Sequence, residues 1–269
     1  MKNIWKERSF RILSILVLLL ILVALLAPLL APHDPNVPDL LAAEQGPSET
    51  YPLGTDTLGR CMLSRVLYGA RVSIFSSLLI TAIVFVAGVF LGTLSGSCGG
   101  WVDAILNKIT TVVQAFPRMI LAIAIVGLMG VGIQNAILAI CLVEWTEYAR
   151  MARSFTLSEK QRTYVQAAKV CGESGLHILT RRIIPNILPP LIVNASLGIS
   201  AVIAEIAGLS YLGIGVKEPM AEWGAMMNAG RAYLQTDVRL ILIPGLAIFI
   251  TSSLFNLFGE KLRDSLVKE

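Results

Sequence analysis

Four ionisable residues stand inside stretches that are otherwise apolar: Arg118, Glu144, Glu147 and Glu205. Charge within a hydrocarbon layer is expensive and is retained where it faces a bundle interior or a water-filled path. Their chemistry is that of holding or steering a charged solute, and Arg118 and Glu205 are the candidates for a translocation path. Glu205 interrupts an apolar stretch; the other reading of it is a structural hydrogen bond or ion pair with a residue such as Arg118. The sequence holds no Gly-x-Ser-x-Gly, no His-Glu-x-x-His and only two histidines, so no catalytic residue is assigned. His33 and His177 lie far apart, and the Met226–Met227 pair offers soft ligands that suit copper(I) better than nickel. No metal site is assigned. The four cysteines form no Cys-x-x-Cys pair, which argues against a zinc or redox motif and for small apolar fillers. There is no Gly-Lys dipeptide and hence no Walker A loop, so any ATP must be bound by a partner.

The elements that position these residues are set by the bilayer. Only 15% of the 269 residues are charged and 55% are hydrophobic, against about 25% charged in soluble domains. Ionised side chains are missing from 12–33, 72–102, 119–143, 183–204 and 240–259. A hydrocarbon core about 30 Å thick needs roughly 20 apolar residues for one helical crossing. The first window follows Lys2, Lys6, Arg8 and Arg11. It exceeds the 7–15 residues typical of a signal peptide and reads as an uncleaved helix.

Five crossings would leave the basic 150–182 segment outside, against the rule that cytoplasmic loops hold the excess of Lys and Arg. A turn around Gly127, Gly130 and Gly132 splits one window and gives six spans: 11–31, 72–98, 104–127, 133–150, 187–214 and 240–260. Fifteen of the 22 Lys/Arg then lie inside, six outside and Arg118 within a span. The expected fold is all-α, a polytopic bundle of about six transmembrane helices in the cytoplasmic membrane with both termini cytoplasmic. The net charge of +4 belongs to this topology and not to nucleic-acid binding. Gly88, Gly92 and Gly96 form a small-residue stripe suited to close packing within the bundle or to dimerisation. Pro117, Pro189, Pro190 and Pro244 lie in or at the start of spans, where the groups they free need neighbours or water.

The segment 151–186 is too polar to cross. It reads as a helix, a break at Gly172 and a second helix, with Tyr164, Ala167, Ala168 and Cys171 on one face of the first. A short amphipathic helix outside the membrane suits docking into a groove on another protein. Gln166-Ala167-Ala168, Gly172, and Arg182 with Ile183-Ile184-Pro185 resemble the EAA loop of ABC import permeases, in the dipeptide/oligopeptide/nickel branch. Two positions depart from that pattern: Gln166 stands where Glu is usual and Arg182 where His is usual.

The resemblance extends over nearly the whole chain. Leu53-Gly54-Thr55-Asp56, Gly59-Arg60, Ser64-Arg65 and Gly69-Ala70-Arg71-Val72-Ser73 are similar to the stretch before the second span of the branch's C-type permeases, with Cys61 in place of Asp. Phe116-Pro117, Trp145, Leu209 to Gly215 and Glu222-Trp223-Gly224 also match. The resemblance implies a type I ABC importer transmembrane domain: 1–31 tail and first helix, 32–71 external loop, 72–262 permease core with its coupling loop at 151–186, and 263–269 tail. It implies as partners a second homologous permease, two ATP-binding subunits carrying ATP and Mg, an extracytoplasmic solute-binding protein and membrane lipid. Gln166, Ala167, Ala168, Gly172, Arg182 and Pro185 become the expected ATPase-coupling residues.

The external segment around Glu222, Trp223, Met226 and Met227 is expected to face the binding protein or cap the path, or to lie at the interface anchored by Trp223 and Tyr233. Arg60, Arg65 and Arg71 are expected to brace the external loop against Asp56 or to sit at headgroups. The implied cargo is nickel, as ion or chelate, or short peptides, with a lean to nickel from Ala221 to Gly224, Met226 and Asn228. A secondary transporter or an intramembrane enzyme are the alternatives; neither explains the loop at Gly172.

Overall fold

The computed structural model describes residues 8–267, so Lys2 and Lys6 of the expected N-terminal tail and residues 268–269 of the C-terminal one lie outside the described residues. The chain runs α1 Arg8–Leu25, α2 Ala27–Leu30, a loop over 31–61, α3 Met62–Cys98, α4 Gly100–Gln114, α5 Arg118–Met129 and α6 Ile133–Lys160. It continues as α7 Thr163–Val170, α8 Gly175–Ile178, a π-helical turn Leu179–Ile183, α9 Ile184–Tyr211, α10 Trp223–Gly230 and α11 Arg239–Val267. The architecture is all-α; a single bridge between Thr55 and Cys61 is the one β pairing among the described residues.

Four helical stretches are long and apolar enough to cross a bilayer: α1, α3, 175–211 and α11. The expected continuous span 104–127 is corrected to two helices, α4 and α5, that meet at 91°. The break falls at Ala115 to Pro117, because proline donates no hydrogen bond and holds the residue before it out of the helical region. Helix α3 starts ten residues earlier than the expected span, since 62–71 carries no helix breaker before Gly69.

Helix α6 is 28 residues long, about 42 Å at 1.5 Å per residue, but Glu144, Glu147, Arg150 and Arg153 dilute its apolar character. Its crossing follows from packing. A methyl on Gly88 would lie 2.6 Å from the Trp145 carbonyl, one on Gly92 would fall on the Ala149 carbonyl, and one on Gly96 would lie 3.0 Å from the Arg153 carbonyl. The partners advance in step, so α3 and α6 run parallel in intimate contact. The intervening α4 and α5 must therefore carry the chain back across, and six crossings result. The glycine stripe is spent inside the bundle.

Phe10 near the start of α1 stacks on Phe258 near the end of α11, with ring centroids 5.7 Å apart. The two ends of the described chain share one side, as an even number of crossings requires. One apolar core joins α3, α5, α6 and α9 through Ile80, Val84, Val126, Ile140 and Ile206. A second joins α1, α3, α10 and α11 through Ile74, Trp223, Leu240 and Phe255.

The loop between α2 and α3 closes on charge. Asp56 accepts from Arg60 Nε at 2.7 Å and lies 3.4 Å from Arg65 Nε, while Arg60 reaches Glu218 at 3.2 Å. Arg65, buried, donates to the Pro35 carbonyl at 2.8 Å and the Pro219 carbonyl at 3.3 Å. Bracing is thus what Arg60 and Arg65 do; Arg71 is exposed.

Candidate functional site

The break at Pro117 places Arg118 at the first turn of α5, opposite Glu144 and Glu147, which share a face of α6 at i, i+3 spacing. One guanidinium nitrogen of Arg118, Nη1, donates to Glu144 Oε1 at 3.1 Å, to Glu144 Oε2 at 3.2 Å and to Glu147 Oε2 at 3.0 Å. Glu205 of α9 stands within hydrogen-bonding reach of Glu144. The two path candidates are thus brought into one cluster, and Arg118 is paired with α6 and not directly with Glu205. The side chain of Glu144 is 8% exposed, whereas those of Arg118 and Glu147 are 51% and 47% exposed. Hydrocarbon cannot satisfy half-exposed charges at this depth, so this face of α5, α6 and α9 is turned to water or protein. A cavity of about 230 Å³ lies beside it, lined by Arg118, Glu144, Glu147, Tyr148, Asn194 and Gly198 among others. Gly198 is required there, since a methyl on it would lie 2.6 Å from the Tyr148 hydroxyl. A larger groove of about 610 Å³ opens at the far end of α9 beside Leu58, Ser210, Lys217 and Asn228.

The loop at 151–186 forms the other candidate surface. Helix α7 ends in a Schellman turn: Glu173 N–H donates to the Ala168 carbonyl at 3.1 Å and Gly172 N–H to the Lys169 carbonyl at 3.0 Å. Gly172 has φ +84°, which a side chain disfavours. Arg182 spans the turn and donates to Glu173 Oε1 at 2.8 Å. That contact holds the Glu173 carboxyl below the usual range and raises Arg182. Gln166 donates to the Lys160 carbonyl at 2.8 Å, and Pro185 lies in the first turn of α9, directly after the π-helical turn.

Of the face expected to dock on another protein, Ala168 is corrected to the interior. Val165 and Ala168 pack on Ala152, Ile178, Ile183 and Ile187, while Tyr164, Ala167 and Cys171 are exposed. Val165, the larger apolar group, takes the interior beside Ala168. Gln166, Ala167, Val170, Cys171 and Leu176 are left outward, with Val170 at 88% and Leu176 at 73% exposure.

The segment between α9 and α11, expected to be external, differs from expectation. Glu222 is fully buried and caps α10, accepting from Ala225 N–H at 2.9 Å and from the Ser73 hydroxyl at 3.0 Å. Trp223, 2% exposed, donates to the Val66 carbonyl at 3.0 Å. Met226 is buried and Met227 half-buried. Neither a binding protein nor a lipid interface reaches Glu222, Trp223 or Met226 in this arrangement; the segment's outer surface is Lys217 to Met220 and Arg231 to Leu234. Among the described residues no group of three or more His, Cys, Asp or Glu could hold a metal ion.

Sequence reasoning missed one cluster altogether. Asp103 at the start of α4 accepts from Arg153 of α6 at 2.5 and 2.7 Å and from Ser95 of α3 at 2.5 Å, and Lys160 donates to the Gly96 and Ser97 carbonyls, each at 3.0 Å. These groups lie up to 64 residues apart, and no spacing rule joins them.

Residues 88–268 match the family of binding-protein-dependent transport system inner membrane components. The chain belongs to this family. Residues 4–47 match the N-terminal transmembrane domain of oligopeptide transport permease C. A probable D,D-dipeptide transport system permease protein of Escherichia coli is 42% identical over 94% of this chain and 85% of its own length. The nickel transport system permease protein of the same species is 38% identical over 96% and 93%. The fold is that of a chain in the methionine ABC transporter MetNI, solved in inward-facing conformations, at a TM-score of 0.61 and 19% identity over 76% of this chain and 97% of that one. Family membership makes the chain a membrane-embedded permease component of an ABC importer, working with other subunits and resembling permeases in place of enzymes.

Proposed function

We propose that this chain forms half of the solute path of an importer driven by ATP and Mg bound on two partner subunits, fed by an extracytoplasmic binding protein and completed by a second, homologous permease. The loop 151–186 and both termini lie in the cytosol, the 32–71 loop outside, and 72–262 is the permease core. What carries the reading is the loop at Gly172: a short helix fastened by its Val165–Ala168 side to the bundle, presenting Ala167, Val170, Cys171 and Leu176 to an apolar cleft on a neighbour. Arg182, in place of the family's histidine, does a bracing task through Glu173.

The cargo we favour is a short peptide. The lean to nickel came from a resemblance at Ala221 to Gly224, Met226, Asn228 and the short C-terminal tail, and those side chains offer no open ligand set: Met226 is buried, and Asn228 donates its amide to the Tyr211 carbonyl. Relatives named for dipeptides and for nickel are about equally similar.

The test is copurification. Val170→Glu places charge on the outward face without touching the Schellman turn, and is expected to release the ATP-hydrolysing subunits and abolish uptake while membrane insertion is kept. Retention of the ATPase pair and of full uptake would overturn the coupling assignment.

A further inference from the structure

The cavity beside Arg118 is incompletely used by the chain that builds it. All three of the guanidinium's bonds leave from Nη1, so Nε and Nη2 of a half-exposed arginine have no hydrogen-bond acceptor among the described residues. Glu147 is engaged through Oε2 alone, and its Oε1 has no donor among the described residues. Asn194 of α9 lines the same cavity and its amide makes no hydrogen bond to the described chain. At membrane depth each of these groups requires a polar companion.

From this we propose that the Arg118–Glu147–Asn194 cavity is a subsite for a zwitterion, the ends of a short peptide with free termini. This deepens the importer reading and rests on it. The unused guanidinium edge offers two parallel N–H donors, the geometry that a carboxylate accepts. The free oxygen of Glu147 and the Asn194 amide oxygen accept from an ammonium group, which carries three donors and no acceptor. A bare divalent cation is a poor fit, because the carboxylates of Glu144 and Glu147 are already engaged by the guanidinium and no ligand set for a metal ion forms among the described residues. A solute without charged ends leaves the free guanidinium edge and the free Glu147 oxygen without a charged partner. The arrangement thus selects for opposite charges on one small molecule, and it does so with only one half of the path, before any contribution from a second permease.

The test uses the intact importer, purified in lipid nanodiscs without its binding protein, so that upstream selection does not intervene. Equilibrium dialysis compares labelled dialanine, N-acetyl-dialanine, dialaninamide and nickel-63. Dialanine is expected to bind, and blocking either end to weaken binding about tenfold, as the loss of one charge-assisted contact does. Glu147→Gln should erase the penalty for N-acetylation and keep that for amidation; Arg118→Gln should do the reverse. Equal binding of all probes, binding of none, or nickel bound with dialanine excluded overturns the proposal. If the arginine variant does not assemble, the wild-type comparison of blocked and free peptide still decides. A wild-type chain that copurifies with no ATPase overturns the importer reading itself, whereas an assembled complex indifferent to the probes overturns only this subsite.

Discussion

Glu222 shows how one side chain is claimed by its surroundings. Its carboxylate sits in the interior where α3, α9 and α10 meet, fed by the backbone N–H groups of Gly224 and Ala225 and by the Ser210 and Ser73 hydroxyls, with no cation beside it. Burial dominates and holds its carboxyl above the ordinary 4.5, although the hydrogen bonds pull the other way. A carboxyl raised on folding lends stability that is complete below its unfolded value and fades as pH climbs through its folded one. Thermal stability of the purified protein should therefore decline from about pH 4.5 upward, and Glu222→Gln, which keeps an acceptor for the cap, should flatten that decline. Glu222→Ala should lower stability by about 1–3 kcal/mol, because the capped N–H and two hydroxyls lose their acceptor. The pairing of Glu222 with Trp223 was visible as a motif; that the pair points inward was not, since a polar helix start and a buried cap read identically in one dimension.

Among the elements, the α3–α6 pair decides the architecture. Glycine at 88, 92 and 96 lets two backbones meet where any Cβ would collide with Trp145, Ala149 or Arg153. Gly92→Leu is expected to separate the helices and abolish assembly, read as loss of a monodisperse peak on size-exclusion chromatography. Gly99→Ala, at a glycine with φ 66° and ψ −159° and open space around it, should cost about 1–3 kcal/mol of local strain and leave the helix pair intact. Recovery of monodisperse Gly92→Leu protein would refute the close-packing role. The stripe was legible because its period matches one helix face. Its partner was not: α6 reads as a weak span, and only contact with α3 shows that it crosses. The 91° break at Pro117 was likewise half-legible. Proline announces a disturbance, but whether a helix kinks or folds over depends on what each arm packs against, here Arg153 holding Asp103 at the start of α4 and α6 glutamates holding Arg118 at the start of α5.

For the molecule as a whole, the loop at Gly172 and the end of α3 share one side, because Lys160 grips the Gly96 and Ser97 carbonyls. Native thiols mark that side: Cys98 and Cys171 are both exposed and free, while Cys61 is buried. A membrane-impermeant maleimide should label both in inside-out vesicles and neither in intact cells; labelling from the cell exterior would invert the topology. Sequence alone determined the membrane class and the family, because hydropathy and short motifs are local and additive along the chain; the count of crossings needed the contact of α6 with α3 as well. Tertiary structure alone decided which charges meet. Arg118 finds Glu144 and Glu147, Asp103 finds Arg153, and Glu222 turns inward, because electrostatic pairing and burial depend on distance in space, and helices far apart in sequence set those distances only once they pack.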